Sequence, residues 1–206
     1  MHLCKVCFKP IKHESIFELL YPKPTLCQSC FRKTKVLDAM LLFHHLNIWF
    51  LFDYDSTIRQ WLFQYKGLYD VELQSVFLER FIHLIKLKFP SYLFIPAPSS
   101  SEDDALRGFA HLPAMLDYFK LPWLPLMHKK SNFKQSELSL EERQQVKSKL
   151  EITKGYLVRH RRIVLVDDVF TSGSTLLAMR DLILPYQPQV VKGLVIAKNQ
   201  KNSFWK

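Results

Sequence analysis

Two stretches of this chain hold residues whose types and spacing can do chemistry. The first, IVLVDDVFTSGST (Ile163 to Thr175), ends an apolar run in the adjacent carboxylates Asp167 and Asp168, then passes at once to hydroxyls and a glycine. Backbone N–H groups at a helix start, Gly173 for close approach and the hydroxyls of Thr171, Ser172, Ser174 and Thr175 together suit a phosphate. Carboxylates are poor phosphate ligands, so Asp167 and Asp168 are expected to hold another part of the same molecule. The vicinal hydroxyls of a ribose fit them best, and the pair can also attract Mg²⁺.

The second stretch is the pair of knuckles CKVC (Cys4, Cys7) and CQSC (Cys27, Cys30), which contain every cysteine of the chain. Two CxxC pairs at this separation suit a closed tetrahedral thiolate site, and the expectation is structural Zn²⁺ with no open position for catalysis. Disulfides or redox dithiols are the competing reading. No strand–helix–strand pattern surrounds either knuckle, and MHLCKVCFKPIK carries neither an apolar export core nor a small-residue cleavage site, so disulfides are disfavoured.

These residues need elements to position them. A segment of about thirty-five residues is too small for its own apolar core, which divides the chain into a zinc module over 1–35 and a larger domain over 36–206. In the larger part, the apolar stretch from Leu41 to Phe52 is broken by His44, His45 and Asn47; it reads as a buried strand with its approach and is too short to span a membrane. Ile58, Trp61, Leu62 and Tyr65 fall at helical spacing, and Leu73, Phe77, Phe81, Leu84 and Ile85 mark a second helical face. A strand over YLFIPAPSSS follows, then a helix near Leu112, Leu116 and Phe119 whose start Pro113 leaves open. WLPLM near Trp123 is a candidate strand, and SLEERQQVKSKL reads as a polar helix capped by Ser139 with Glu142 three residues on. IVLV and VVKGLVIA are short buried strands. Such alternation predicts an α/β fold with a mostly parallel sheet flanked by helices. Because the helix carrying Leu176, Leu177 and Ile183 begins near Gly173, the acid pair stands where a strand ends and a helix begins, the place where open α/β sheets bind ligands.

Composition narrows the class. Of 206 residues, 48% are hydrophobic, enough to fill a core and to exclude disorder as the general state. The net charge of +10 includes Arg159, Arg161 and Arg162 in RHRR, Arg32, Lys33 and Lys35, and Lys129, Lys130, Lys134, Lys147, Lys149 and Lys154. Phosphate backbones are the natural partners of such a balance, with a solvated basic face as the simpler account. Phe204 and Trp205 are candidates to stack unpaired bases, against a packed tail. None of the five glycines supplies the GxxxxGK[ST] loop of a nucleotide-hydrolysing site, and His44, His45, His128 and His160 show no metal spacing.

IVLVDDVFTSGST resembles the phosphoribosyl-pyrophosphate (PRPP) signature of type I phosphoribosyltransferases across its full length, with Ser172 a mild variant. Nearly the entire chain resembles the ComF family of bacterial competence proteins. The resemblance rests on the paired knuckles, FQYKG (Phe63 to Gly67), IPAP, RGF (Arg107 to Phe109), QSELSLEER (Gln135 to Arg143) and the PRPP signature. It implies a phosphoribosyltransferase sheet with an N-terminal zinc finger, located in the cytoplasm or at the inner face of the membrane. The implied role is handling of single-stranded DNA in natural transformation beside a ComFA-like helicase ATPase. By the same resemblance, Asp167 and Asp168 meet the ribose of PRPP or ribose 5-phosphate, Thr171 to Thr175 its 5′-phosphate, and Pro96, Ala97, Pro98 and Ser99 begin the pyrophosphate loop. Arg107 and Arg143 lie near the mouth, and Arg159, Arg161 and Arg162 are further candidates for phosphate or DNA contacts.

Some positions depart from the family pattern. Ala110-His111 replaces the usual Asn-Gln after RGF, Val146 replaces an Asn, and Glu102, Asp103 and Asp104 stand where basic residues are common. Thr171 occupies the place of the acidic general base in hypoxanthine-type enzymes. The alternative function is a metabolic transferase moving ribose 5-phosphate from PRPP to a nucleobase.

Overall fold

The computed structural model describes residues 2–11, 24–129 and 150–199. The SLEERQQVKSKL segment up to residue 149, with Ser139, Glu142, Arg143 and Val146, lies outside them, as do Lys130, Lys134, Phe204 and Trp205.

The apolar stretch expected to form one strand with its approach is a hairpin. Strand β1 (Val36–Phe43) pairs antiparallel with β2 (Leu46–Asp53), Phe43 opposite Leu46. The two-residue turn is His44-His45, both at positive φ (45° and 64°). This is the conformation whose twist matches a right-handed hairpin, and histidine tolerates it better than bulkier or branched residues. Polar residues that interrupt an apolar run therefore mark the turn.

Helix α1 (Gln28–Phe31) closes the second knuckle, and α2 (Ser56–Gly67) follows β2. Asp55 caps α2 by accepting the Ile58 N–H at 2.8 Å, and Ile58, Trp61, Leu62 and Tyr65 are all buried, as their spacing predicts. The next segment departs from expectation. Instead of one helix, 3₁₀ turns at Val71–Ser75 and Glu79–Phe81 lead into α3 (Ile82–Lys88). Leu73, Phe77, Phe81 and Ile85 are buried but Leu84 faces solvent. The bends carry Ser75 and Glu79 to Thr25: its hydroxyl lies 2.6 Å from Ser75 Oγ, and its N–H donates to Glu79 at 2.9 Å. Docking of the N-terminal segment thus overrides regular helix periodicity.

Strand β3 (Tyr92–Pro96) leads to α4 (Ser101–Arg107) and α5 (His111–Tyr118). Pro113 is the third residue of α5, where a missing N–H costs nothing. WLPLM makes only an isolated bridge from Trp123 to Phe94, because Pro122 and Pro125 cannot donate to a ladder. Pairing resumes in a small separate sheet of β4 (Met127–Lys129) and β5 (Leu150–Ile152). The chain then forms β6 (Arg162–Phe170), α6 (Ser174–Ile183) and β7 (Val190–Lys198). The main sheet has the order β1-β2-β7-β6-β3, parallel except for the β1 edge. It is the mixed, mostly parallel sheet flanked by helices that the alternation predicts.

The N-terminal segment shares the core. Cys4, Leu26 and Cys30 are buried in the same apolar cluster as β2, Phe31 packs edge-on to Phe52, and the Arg80 guanidinium donates to Leu26 O at 3.1 Å.

Candidate functional site

Strand β6 lies inside the sheet between β7 and β3, so Ile163 to Val166 are fully enclosed, and pairing with β7 continues past the acids to Phe170. Asp167 and Asp168 are therefore residues of the strand itself, near its carboxyl end. Both are half-buried.

No neighbour in sequence is a cation, but the fold delivers one together with an imidazole. Lys66 from α2 forms an ion pair with Asp168 Oδ2, and His111 Nε2, the first residue of α5, lies 3.2 Å from the same oxygen. The other carboxylate oxygen accepts the Val169 N–H at 2.7 Å, and Asp167 Oδ1 accepts the Asp168 N–H at 3.0 Å. Burial alone would raise Asp168, but the His111 hydrogen bond and the Lys66 charge outweigh it and hold its carboxyl far below the usual range. Asp167 has neither partner. Its burial, and then the Asp168 charge, push it up to about 8. At neutral pH the pair carries one secure negative charge and one acid near its titration point.

The following loop is fixed by Gly173, at φ 74°. A Cβ there would stand 2.5 Å from the Phe43 ring and 2.6 Å from Phe170, so glycine is required by backbone and by space. The ring of Phe43 comes from the hairpin, so the close approach read from sequence is one of chain to aromatic rings. Gly173 caps α6 without a side chain, so the first turn of this ten-residue helix opens beside Thr171, Ser172, Ser174 and Thr175, with the Ser174 N–H donating to Ser172 Oγ at 3.4 Å. Ser172 and Ser174 share a hydroxyl contact of 2.8 Å. This end can take an anion.

Pro96 ends β3, level with Val166 of β6, and the Ala97 N–H donates to Val166 O at 2.8 Å. Pro98 and Ser99 lead into α4, capped by Ser100 accepting the Asp103 N–H. Glu102, Asp103 and Asp104 thus fill the first turn of α4, where the helix dipole favours negative charge. Asp104 also accepts from Arg107 at 2.9 Å and from Ser99 at 2.5 Å. Arg107 Nε reaches Lys66 O at 3.2 Å, which joins this loop to the acid pair. The RGF motif now has a local explanation: Arg107 ties the network, Gly108 supplies the left-handed cap at φ 75°, and Phe109 packs on Tyr65. FQYKG is equally legible, since Tyr65 is buried with its hydroxyl on His111 O at 2.6 Å while Lys66 reaches Asp168. Lys66 and His111 are the residues sequence reasoning missed; their signals were FQYKG and the odd residue after RGF.

At the N-terminus all four Sγ atoms lie within 4.8 Å of one another, and Cys7 and Cys27 are 3.7 Å apart. Thiolates about 2.3 Å from a tetrahedral ion would be about 3.8 Å apart, whereas a disulfide needs about 2.05 Å. The cysteines are unbridged and suit a metal ion. Burial opposes ionisation of Cys27, but the Ser29 hydroxyl and the Cys30 N–H lower it to about 6.

The family model described as a phosphoribosyl transferase domain matches residues 105–205. Among curated proteins, the chain is 24% identical over 178 residues to competence protein ComFC of Bacillus subtilis, covering 85% of this chain and 68% of the relative. It is 26% identical over 133 residues to competence protein ComFC of Streptococcus pneumoniae, covering 65% of this chain and 60% of the relative. The chain is thus similar to ComFC competence proteins, and its C-terminal half resembles a phosphoribosyl transferase domain. Among solved structures it is similar to a hypoxanthine-guanine phosphoribosyltransferase of Bacillus anthracis at TM-score 0.44 and 12% identity, over 66% of this chain and 75% of that one.

In this ComFC-like chain the basic run is remote from the acids. Arg162 begins β6 and Asp168 lies six residues further along the same strand, about 20 Å away at the rise of a strand. Arg161, Arg162 and His160 line a groove of about 620 Å³ with Ser91, Tyr92 and Gln189, and Arg159 is exposed nearby. The acid pair has a different neighbour. A cleft of about 990 Å³ beside α2 includes Lys66, Val169 and the exposed ring of Phe63. Among the described residues, no helix is long and apolar enough to cross a membrane.

Proposed function

We propose that this ComFC-like chain is a competence protein that handles single-stranded DNA during natural transformation and retains a site for PRPP or ribose 5-phosphate. In that site Asp167 and Asp168 take the ribose hydroxyls, with Mg²⁺ beside them when PRPP is bound. Thr171 to Thr175 and the end of α6 take the 5′-phosphate, and Pro96 to Ser99 border the pyrophosphate position. Zn²⁺ on the four cysteines is structural. The chain acts in the cytoplasm or at the inner face of the membrane, beside a ComFA-like helicase ATPase, and RHRR meets DNA phosphates.

The observation that carries the ribose 5-phosphate reading is the single strand–loop–helix unit on which a carboxylate pair stands next to an open helix end. Binding is favoured over efficient transfer. Three acids hold the start of α4, and Arg107, the nearest described cation on that loop, is committed to Asp104.

Calorimetric titration with PRPP and ribose 5-phosphate, with and without Mg²⁺, is the test. Both should bind wild type, and Asp167→Ala/Asp168→Ala should lose roughly ten- to a hundredfold for each charged hydrogen bond removed. Equal binding by the variant would remove the ribose assignment. Rapid pyrophosphate release with any nucleobase would replace the binding reading with a metabolic transferase.

A further inference from the structure

Asp168 is held from two sides by very different residues. Lys66 is a flexible side chain still about one-third exposed, whereas the His111 side chain is 9% exposed. His111 is also fixed through its backbone: it opens α5, and its carbonyl accepts the hydroxyl of the fully buried Tyr65 at 2.6 Å. Its Nε2 lies 3.2 Å from Asp168 Oδ2, but its Nδ1 is buried with no hydrogen-bond partner.

An unpaired buried nitrogen destabilises a fold, and an apolar side chain of similar size would avoid that cost. The imidazole is therefore best explained by what its other nitrogen does. A carboxylate used to recognise two hydroxyls must not rotate; the Val169 N–H holds Asp168 Oδ1 at 2.7 Å, but a mobile ammonium alone cannot hold Oδ2 in place. A rigid donor from a second helix can.

We infer that His111 is a positioning residue for Asp168: its Nε2 fixes the carboxylate so that its remaining acceptor capacity faces the ligand. Lys66 supplies charge that an arriving hydroxyl can displace, while His111 stays in place. This role rests on the ribose 5-phosphate reading and adds a residue to it. It also gives the departure from Gln at this position a chemical content, since either side chain can present an N–H donor at comparable reach.

The experiment is calorimetric titration of the full-length protein with ribose 5-phosphate, using wild type, His111→Ala and His111→Gln, with thermal melts of each. His111→Ala should weaken binding about tenfold, the lower range for one hydrogen bond to a charged group. His111→Gln should return affinity close to wild type, because it restores the donor. Unchanged affinity in His111→Ala overturns the role. So does a His111→Gln protein that recovers the wild-type melt but binds as weakly as His111→Ala, since packing alone would then be the residue's contribution. If wild type itself fails to bind ribose 5-phosphate, the ribose reading falls and the positioning role falls with it; if wild type binds but either of those two overturning results is found, the positioning role alone falls.

Discussion

Replacing Asp167 by Asn should make the protein more stable at neutral pH while weakening its ligand site. An unfolded aspartate titrates near 3.9, whereas burial and the Asp168 charge push Asp167 up to about 8 in the folded chain. Between these values the folded state holds a proton that the unfolded state has released, so stability falls as pH rises, by at most about 1.4 kcal/mol per pH unit. From pH 4 to pH 7 the limit is about 4 kcal/mol, and the residual solvation of a half-buried group reduces it to about 2 kcal/mol. Asn keeps the oxygen that accepts the Asp168 N–H and removes the titration. For a chain of this size, about 2 kcal/mol corresponds to a rise in Tm of roughly 4–8 °C. Thermal denaturation followed by circular dichroism in Mg²⁺-free buffers from pH 5 to 8.5 reads this directly. The variant should gain little at pH 5 and progressively more toward pH 8. A gap independent of pH, or a less stable variant at pH 7, would refute a charge penalty at this position. Ribose 5-phosphate affinity should fall in the same protein.

Gly173→Ala should lower stability by at least about 2 kcal/mol in urea denaturation, from its left-handed backbone and the clash with Phe43 and Phe170; an unchanged midpoint would contradict the packing of this loop. Cys27→Ser should abolish one equivalent of Zn²⁺ measured by elemental analysis, and should depress the melt of the whole chain because Leu26 and Cys30 belong to the common core. Arg161→Glu with Arg162→Glu should weaken single-stranded DNA binding and flatten its salt dependence in gel shifts, yet leave ribose 5-phosphate titration unaltered, since the arginines and the acids occupy opposite ends of β6.

Local chemistry made much of this chain readable. The two knuckles announced a four-thiol cluster because spacing alone nearly determines such sites, and the apolar run before Asp167 and Asp168 announced the buried strand that carries them near its carboxyl end. Helix α2 was legible from Ile58, Trp61, Leu62 and Tyr65, whose burial is a one-dimensional pattern. Turns decided by backbone conformation were harder. His44-His45 looks like polar interruption until both residues are found at positive φ, and the face from Leu73 to Ile85 breaks because Ser75 and Glu79 must meet Thr25, fifty or more residues away.

The sequence by itself determined the class of fold, the thiol cluster and which strand carries the carboxylates, because each depends on residue type and short-range period. Only the tertiary structure decided how those carboxylates are charged. Lys66 lies 102 positions from Asp168 in the chain, and His111 reaches it from the start of a different helix. Neither carries a local pattern that marks it as a partner. An ionisation state is set by burial and by the few charges within hydrogen-bonding distance, and those distances exist only once α2 and α5 are packed over the end of β6.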